Sequence, residues 1–250
     1  MNYPQNQVAV KVSGDWGCFT RPEFKVERVS YEVMTPSAAR GLLEAILWKP
    51  QFRYQITEIA VLKPITFMTL RRNEVKSKIS VRNAKSWMSG TTDVDHFYAD
   101  EDRTQRNTLA LKGVAYTIKA EIILTSLANQ PRKKKEDVDE TQGPDSAIKY
   151  REMFNRRVSK GQCFHQPCLG CREFPAIFES PTGDEKPIGE TKDLGLMLYD
   201  IFDLKAVPKH IENEKDLKEA RKITFFKAYL KSGVLKIPAL DEVFSGKRTV

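Results

Sequence analysis

Alternating apolar and polar residues predict β-strands in several parts of the chain. Residues 8–12 alternate and stop at Gly14, and residues 114–122 alternate again. Further extended stretches are expected at residues 52–62, 65–70, 172–178, 194–202, 224–230 and 234–237. Ser232-Gly233 separates the last two and predicts a hairpin turn.

The first predicted helix has clear signals at both ends. Thr35 is expected to cap it, and Pro36 to occupy its first position, where a missing N–H costs nothing. Trp48-Lys49-Pro50 ends it, because the residue before a proline disfavours the helical conformation. Its apolar stripe consists of Leu42, Leu43, Ile46 and Leu47.

A second helix is predicted from about Asp145, its expected N-cap, to Lys160, with Gly161 just beyond its end. Residues three and four apart lie on one face of a helix. The apolar face then carries Ala147, Tyr150, Phe154 and Val158, and another face carries Lys149, Arg156 and Lys160. The helix is therefore expected to bury one side and expose a basic ridge.

These elements predict an α+β fold. Residues 1–180 have the order β-α-β-β-α-β, which is the ferredoxin-like order of RNA-recognition domains, and residues 181–250 are expected to form a small C-terminal antiparallel sheet domain. Residues 73–107 have little apolar periodicity and are expected to form a long excursion between strands. Residues 131–140 are expected to form a flexible loop, and the polar residues 205–221 a short helix.

The charge balance makes a polyanionic partner plausible. The chain has 41 Lys and Arg against 33 Asp and Glu, a net charge of +8. Nucleic acid, an anionic membrane surface and a charge without specific meaning all remain open. No apolar run approaches the roughly 20 residues that cross a bilayer, and no secretory signal is recognised, so a reducing cytoplasm is the expected compartment.

The four cysteines do not predict a metal site. Cys168 and Cys171 form a C-x-x-C with Gly170 inside it, but a zinc ribbon needs a second such pair. Cys163 and His165 are close enough in sequence for a compact Cys/His site to be conceivable. The favoured interpretation is a tight glycine turn flanked by buried thiols.

Basic residues cluster in three places: the first loop, residues 71–78 and the second predicted helix. Residues 71–85 contain six Lys or Arg against one Glu, whereas residues 93–103 contain five acids against one Arg. The first loop has Arg21, Lys25 and Arg28 interleaved with Phe19 and Phe24. Cations that neutralise phosphates beside rings that stack on bases favour RNA, and the alternative is a solvated basic surface.

The sequence contains no phosphate-loop, dinucleotide-binding or zinc-protease motif, so no cofactor is predicted. If the chain is a nuclease, the more natural route is without metal. In that route the ribose 2′-OH attacks its own phosphate and leaves a 2′,3′-cyclic phosphate and a 5′-OH. The reaction needs a base that titrates near neutrality and a cation beside the developing charge.

Several strings resemble, in the same order, those of the type I-C CRISPR-associated proteins of the Cas-five family (subtype d, also called c). They are GDWGCFTRPE at 14–23, VERVSY at 26–31, TPSAARG at 35–41, WKP at 48–50, RRNEV at 71–75, PCLGCREF at 167–174 and KDLG at 192–195. The resemblance covers nearly the whole chain, with residues 126–145 and 204–221 covered least.

The resemblance implies a pre-crRNA-processing endoribonuclease of the repeat-associated mysterious protein superfamily. It implies an RNA-recognition-like ferredoxin domain with a C-terminal β-sheet domain. The implied activity is metal-independent cleavage of CRISPR precursor RNA 3′ of the repeat hairpin. The protein would then keep the 5′ handle of the mature guide RNA and join the backbone and large subunits of a bacterial interference complex.

The family's catalytic positions are only partly matched. Relatives that cleave open the second helix with a Lys-His pair, and here those positions are Lys149 and Tyr150. A Tyr or His before the Trp-Lys-Pro also contributes in relatives, and here that position is Leu47. We therefore expect Lys149 to stabilise the phosphorane charge, and we name Tyr150 and His165 as candidate bases. A tyrosine, with an ordinary pKa of about 10, is a base near pH 7 only when a neighbouring cation lowers it.

The expected RNA contacts lie in the basic clusters. They are Arg21, Lys25, Arg28, Arg40, Arg71, Arg72, Asn73, Lys76, Lys78, Arg103, Arg106, Arg156, Arg157 and Lys160. The departures at Leu47 and Tyr150 leave a second hypothesis open, a subunit that binds the 5′ handle and does not cleave.

Overall fold

The computed structural model describes residues 5–24, 26–93, 98–129, 145–200, 223–239 and 242–243. Lys25, the predicted loop 131–140 and the polar segment 205–221 lie outside these ranges. Within them, no helix is both long and apolar enough to cross a membrane.

One mixed but mainly antiparallel sheet dominates the described part of the chain. Its strands are β1 (Gln7–Gly17), β2 (Arg28–Val29), β3 (Phe52–Val61), β4 (Phe67–Val75), β5 (Arg103–Leu124), β6 (Ile177–Glu179), β7 (Lys192–Asp200), β8 (Thr224–Lys231) and β9 (Val234–Lys236). They follow the order β6-β1-β5-β3-β9-β8-β7, while β2 and β4 pair with β5 away from this path. Only the short pairing of β2 with β5 is parallel.

Two helices pack against this sheet and against each other, α1 (Pro36–Ile46) and α3 (Ala147–Ser159). The prediction for α1 is confirmed, because Thr35 Oγ1 accepts a hydrogen bond from the Ala38 N–H at 3.3 Å and Pro36 opens the helix. In α3, Tyr150, Phe154 and Val158 are buried as predicted. The N-cap prediction was wrong by one residue, since Ser146 Oγ, not Asp145, accepts from the Lys149 N–H at 3.2 Å.

The predicted excursion at residues 73–107 begins and ends in strands and contains a short helix. β4 extends to Val75, α2 (Val81–Met88) follows, and β5 begins at Arg103. We call the described residues of 67–111 the arm. The strand residues 73–75 and 103–107 were not predicted, because charged side chains occupy both faces of this ribbon and leave no apolar alternation. None of the described residues of α2 is buried.

A glycine bends β5 where the arm leaves the sheet. Residues of β5 up to Leu111 pair with β4, and the rest of the strand pairs with β1 and β3. Gly113 has a φ of +63° and is skipped in the register with β1, which passes from Trp16↔Lys112 to Gly14↔Val114. Glycine suits this left-handed position because it has no Cβ.

The C-terminal strands continue the same sheet. β8 and β9 form the predicted hairpin around Ser232-Gly233, and β9 pairs with β3. The predicted strand at residues 172–178 was mostly wrong, because only Ile177–Glu179 is a strand and the residues before it are turns. The division into two domains at residue 180 stays a prediction.

Candidate nucleic-acid interface

The register of β4 and β5 sorts the polar residues of the arm onto two faces. Residues directly opposite each other in an antiparallel pair share a face. Arg71 lies opposite Asn107, Asn73 opposite Gln105 and Val75 opposite Arg103. All six are exposed. We call the set Arg71, Asn73, Arg103, Gln105 and Asn107 the open face. Its members offer guanidinium and amide groups, and the Asn107 amide donates to the exposed Glu27 carboxylate at 3.4 Å.

The opposite side of the same ribbon holds cations that are already neutralised. Arg72 lies opposite Arg106, and Glu74 lies between their guanidinium groups. The Glu74 carboxylate accepts from Arg72 Nη2 at 3.1 Å and from Arg106 Nη1 at 3.3 Å. Arg72 Nη2 also donates to Thr108 Oγ1 at 3.2 Å.

A loop before β6 adds a second carboxylate to this cluster. Glu173 accepts from Arg28 Nη1 at 2.7 Å and from Arg72 Nη1. Burial opposes ionisation of Glu173, but its own backbone N–H and the two arginines outweigh burial and hold its pKa below the usual range. We call Arg28, Arg72, Glu74, Arg106 and Glu173 the paired face.

The C-x-x-C lies beside the paired face as a tight turn. Cys171 Sγ accepts from Arg28 Nη1 at 3.3 Å. A hydrogen bond from the Cys18 thiol lowers the pKa of Cys171, burial opposes this, and Arg28 lowers it further. Gly170 has a φ of +87°, and a Cβ there would lie 2.0 Å from the Cys18 carbonyl oxygen. Among the described residues, no three His, Cys, Asp or Glu side chains are grouped as metal ligands.

Three other predicted RNA contacts lie in packed positions. The Arg21 guanidinium stacks 4.5 Å from the centre of the Tyr31 ring. Arg40 donates to both carboxylate oxygens of Asp200 at 3.0 Å, and Asp200 is only 3% exposed. Arg157 Nη1 donates to the Ile46 carbonyl at 2.6 Å. Four further predicted contacts are exposed, Lys76, Lys78, Arg156 and Lys160.

Lys149, the predicted catalytic lysine, lies in the first turn of α3. Lys149 Nζ is 3.3 Å from Asp145 Oδ1, and its side chain is 26% exposed. Tyr150 follows on the apolar face, where its ring is 2% exposed and packs 4.6 Å from the Phe52 ring. Leu47 is fully buried, and its carbonyl accepts from the Tyr54 hydroxyl at 2.9 Å.

His165 lies in the loop after α3. It is exposed, and its backbone N–H donates to the Ala45 carbonyl at 3.1 Å, near the end of α1. Its role as a candidate base stays a prediction.

The sequence interpretation missed the partners that divide the two faces. Glu173 and Glu74 neutralise three of the predicted RNA contacts, and Gln105 and Asn107 complete the open face. If the strand predicted at residues 65–70 is continued, Arg71 and Arg72 fall on opposite faces, because successive side chains of a strand alternate. Glu173 lies 101 residues from Arg72 in sequence, and no local pattern links them.

Comparisons with known proteins agree with the strings at the level of family. The Cas5d family model, described as CRISPR-associated protein (Cas_Cas5), matches residues 8–238. A relative from Mannheimia succiniciproducens named CRISPR pre-crRNA endoribonuclease Cas5d is 43% identical over 241 residues, 93% of this chain and 95% of its own length. A Thermus thermophilus protein of the same name is 45% identical over 195 residues, 78% of this chain and 73% of its own.

Solved structures share the fold at lower identity. A crystal structure described as a CRISPR-associated protein is 22% identical, with a TM-score of 0.61 and 97% of both chains covered. A functionally uncharacterized Streptococcus mutans protein is 21% identical, with a TM-score of 0.59 and the same coverage. Because the family model spans most of the chain and two relatives exceed 40% identity, the chain belongs to the Cas5d family of CRISPR-associated proteins.

Proposed function

We propose that this protein is a CRISPR pre-crRNA endoribonuclease that binds the repeat hairpin and cleaves on its 3′ side. The observation that carries the proposal is the 43–45% identity to two relatives of that name over most of the chain. The open face of the arm supports RNA binding, because it offers two arginines and three amides to phosphates and bases.

The proposal includes a ferredoxin-like, RNA-recognition-like core. The four strands β6, β1, β5 and β3 are neighbours in that order, and α1 and α3 connect them along the chain. This arrangement supports the assignment.

The proposed reaction is metal-independent. The ribose 2′-oxygen attacks the adjacent phosphorus, the P–O5′ bond breaks, and a 2′,3′-cyclic phosphate and a 5′-OH result. A base takes the 2′-OH proton, and an acid returns one to the leaving oxygen. Lys149 is suited to stabilise the phosphorane, since its ammonium lies in the first turn of α3 and is partly exposed.

A second candidate is a non-catalytic subunit that only binds the 5′ handle. It is favoured by the burial of Leu47 and Tyr150, the two positions at which the chain departs from cleaving relatives. Neither side chain reaches solvent in the described structure. Under this hypothesis Lys149 is only a phosphate contact.

Repeat RNA with a 2′-deoxyribose at the scissile nucleotide separates the two functions. We expect the unmodified RNA to be cut in EDTA and the deoxy RNA to bind equally well but remain intact. Cleavage of the deoxy RNA would exclude 2′-OH attack, and cleavage that stops in EDTA would exclude the metal-independent route. No cleavage of either RNA at saturating protein would favour the binding subunit.

Lys149→Ala tests the catalytic cation, with Lys160→Ala at the other end of α3 as the matched control. We expect Lys149→Ala to slow single-turnover cleavage about 10²- to 10³-fold while affinity falls much less. Lys160→Ala should leave the cleavage rate of bound RNA unchanged. Equal losses of rate and affinity in Lys149→Ala would make it a phosphate contact only.

Tyr150→Phe and His165→Ala test the two candidate bases. Tyr150→Phe keeps the ring that packs on Phe52, so thermal stability should be retained and a loss of cleavage would report the hydroxyl alone. His165 is exposed, so its replacement should not affect folding. The variant that removes the base should lose the acidic limb of the pH–rate profile, because that limb arises from protonation of the base.

We also propose that the protein stays on the 5′ handle and joins the backbone and large subunits of a type I-C interference complex. Exposed apolar side chains on the paired strands β7 and β8 support contact with another protein, namely Leu196 and Phe225. Copurification with the other subunits should weaken when Leu196 and Phe225 are replaced by serine.

A further inference from the structure

Two exposed aromatic rings lie at the C-terminal end of α1. Trp48 is 57% exposed and Phe164 is 73% exposed. We infer that Trp48 and Phe164 form a stacking platform for unpaired RNA bases, separate from the open face of the arm. This inference rests on the proposed RNA-binding function and assigns it a second contact surface.

Hydrogen bonds from three elements hold the backbone of both rings. The N–H groups of Phe164 and His165 both donate to the Ala45 carbonyl, at 2.9 and 3.1 Å. Arg157 Nη1 donates to the next carbonyl, that of Ile46, at 2.6 Å, and the Tyr54 hydroxyl donates to that of Leu47. The loop after α3 is thus fixed to the segment that carries Trp48, and little order remains to be lost on binding.

The same hydrogen bonds reduce the repulsion that the C-terminal end of α1 would exert on an anion. The C-terminal carbonyls of a helix carry partial negative charge, which would repel a phosphate. Here backbone N–H groups, a hydroxyl and the Arg157 guanidinium satisfy them. Exposed cations lie near both rings in sequence. Lys49 directly follows Trp48. Arg156 lies in the last turn of α3, and Lys160 is the C-cap residue of that helix.

The surroundings of the rings favour nucleic acid over a protein partner. A protein-docking surface is a contiguous apolar patch, whereas these rings stand among exposed polar residues, including Lys49, Gln162 and Gln166. The His165 ring lies edge-on to Phe164 at 4.4 Å and extends the aromatic surface. Single rings beside cations are the arrangement by which proteins stack successive bases without reading their sequence.

The test compares two fluorescein-labelled 16-nucleotide RNA chains, oligoadenylate and a fully abasic chain with the same number of phosphates. We expect wild-type protein to prefer the oligoadenylate. Trp48→Ala and Phe164→Ala should each weaken oligoadenylate binding by roughly 5- to 100-fold and leave abasic binding unchanged. The salt dependence should stay as in wild type, because no charge is removed.

Tyr229→Ala is the matched control, since Tyr229 is 52% exposed on β8, away from the end of α1. It should leave both affinities unchanged. Trp48→Phe should keep most of the preference because it keeps a π-face, whereas Phe164→Leu should lose it while keeping the apolar bulk.

Equal binding of both chains by wild type would overturn the inference, as would a preference that survives in the double alanine variant. In the latter case the rings would be available for a protein partner. Either result leaves the proposed function standing as long as wild-type protein binds and cleaves the repeat hairpin. Failure to bind or cleave that hairpin would instead remove the proposed function.

Discussion

The two faces of the arm are built from the same kind of residue on the same two strands, yet they have different chemistry. Arg71 and Arg72 are neighbours in sequence and point to opposite sides of β4. The Arg72 side meets Glu74, Glu173 and Thr108, whereas Arg71 belongs to a face of exposed arginines and amides. A basic sequence therefore does not by itself indicate how many cations can neutralise phosphate.

The paired face instead connects distant parts of the chain. Arg28 from β2, Arg72 from β4 and Glu173 from the loop before β6 meet where the arm joins the sheet. We expect the ion pairs at this point to orient the arm and so to position the open face. The predictions below test this division of roles.

The largest effect is expected from Gly170→Ala, which should disrupt the paired face. A Cβ at this position would meet the Cys18 carbonyl at 2.0 Å in a backbone conformation that favours glycine, so the loop bearing Cys171 and Glu173 must move. We expect a loss of at least about 3 kcal/mol in the free energy of unfolding, measured by urea denaturation. Gly41→Ala in α1, where a Cβ has open space, should be neutral or stabilising. An equally stable Gly170→Ala would mean that the loop is not held as described.

The next effect concerns the open face. Arg71→Ala with Arg103→Ala should weaken repeat-RNA binding about 10- to 100-fold at moderate salt and lower the salt slope by about one for each arginine. The measurement is affinity by fluorescence anisotropy over a series of salt concentrations. An unchanged slope would place the RNA elsewhere.

The paired face should respond in the opposite way. Arg72→Ala should cost about 0.5–1 kcal/mol of stability, since these side chains are partly exposed, and leave the RNA salt slope nearly unchanged. A slope reduced as much as by Arg71→Ala would show that both faces contact phosphate, and the comparison between them would fail.

The same cluster can be tested by the pH dependence of stability, comparing wild type with Glu173→Gln. The folded-state pKa of Glu173 is depressed, so its stabilising contribution is present above the unfolded pKa and is lost as pH falls through the folded value. The stability difference between wild type and Glu173→Gln should therefore be largest near neutrality, begin to fall near the ordinary glutamate pKa of about 4.3, and vanish below the depressed folded-state pKa. A difference that persists in acid would show that the ionised carboxylate is not what stabilises the fold.

The smallest effect concerns the thiol beside Arg28. The pKa of Cys171 is lowered by the Cys18 thiol and by Arg28, whereas burial raises the pKa of Cys168. Iodoacetamide should therefore alkylate Cys171 at lower pH than Cys168, followed by peptide mass spectrometry. Arg28→Gln should move the Cys171 profile to higher pH. Identical profiles for the two cysteines would contradict the contact with Arg28.

Regions with a buried apolar pattern were predicted better from sequence than regions without one. The strands of the central sheet and α1 have buried alternating or helical stripes, so their existence was predicted, but β1 extends to Gly17 and β5 begins at Arg103, well beyond the predicted bounds. In the arm only the start of β4 was predicted, because a two-stranded ribbon without a buried face carries no hydrophobic pattern. The strand predicted at 172–178 was mostly a turn, held by tertiary bonds such as the one from the Cys18 N–H to the Leu169 carbonyl.

The sequence by itself determined the elements with apolar periodicity, the family strings and the location of the basic clusters. The tertiary structure alone decided which of those cations are already neutralised, because Glu173 reaches Arg28 and Arg72 across more than 100 residues of chain. It also attached the loop that carries Phe164 and His165 to the C-terminal end of α1. Side-chain pairing and burial depend on contacts between distant segments, and a local pattern of residues does not contain them.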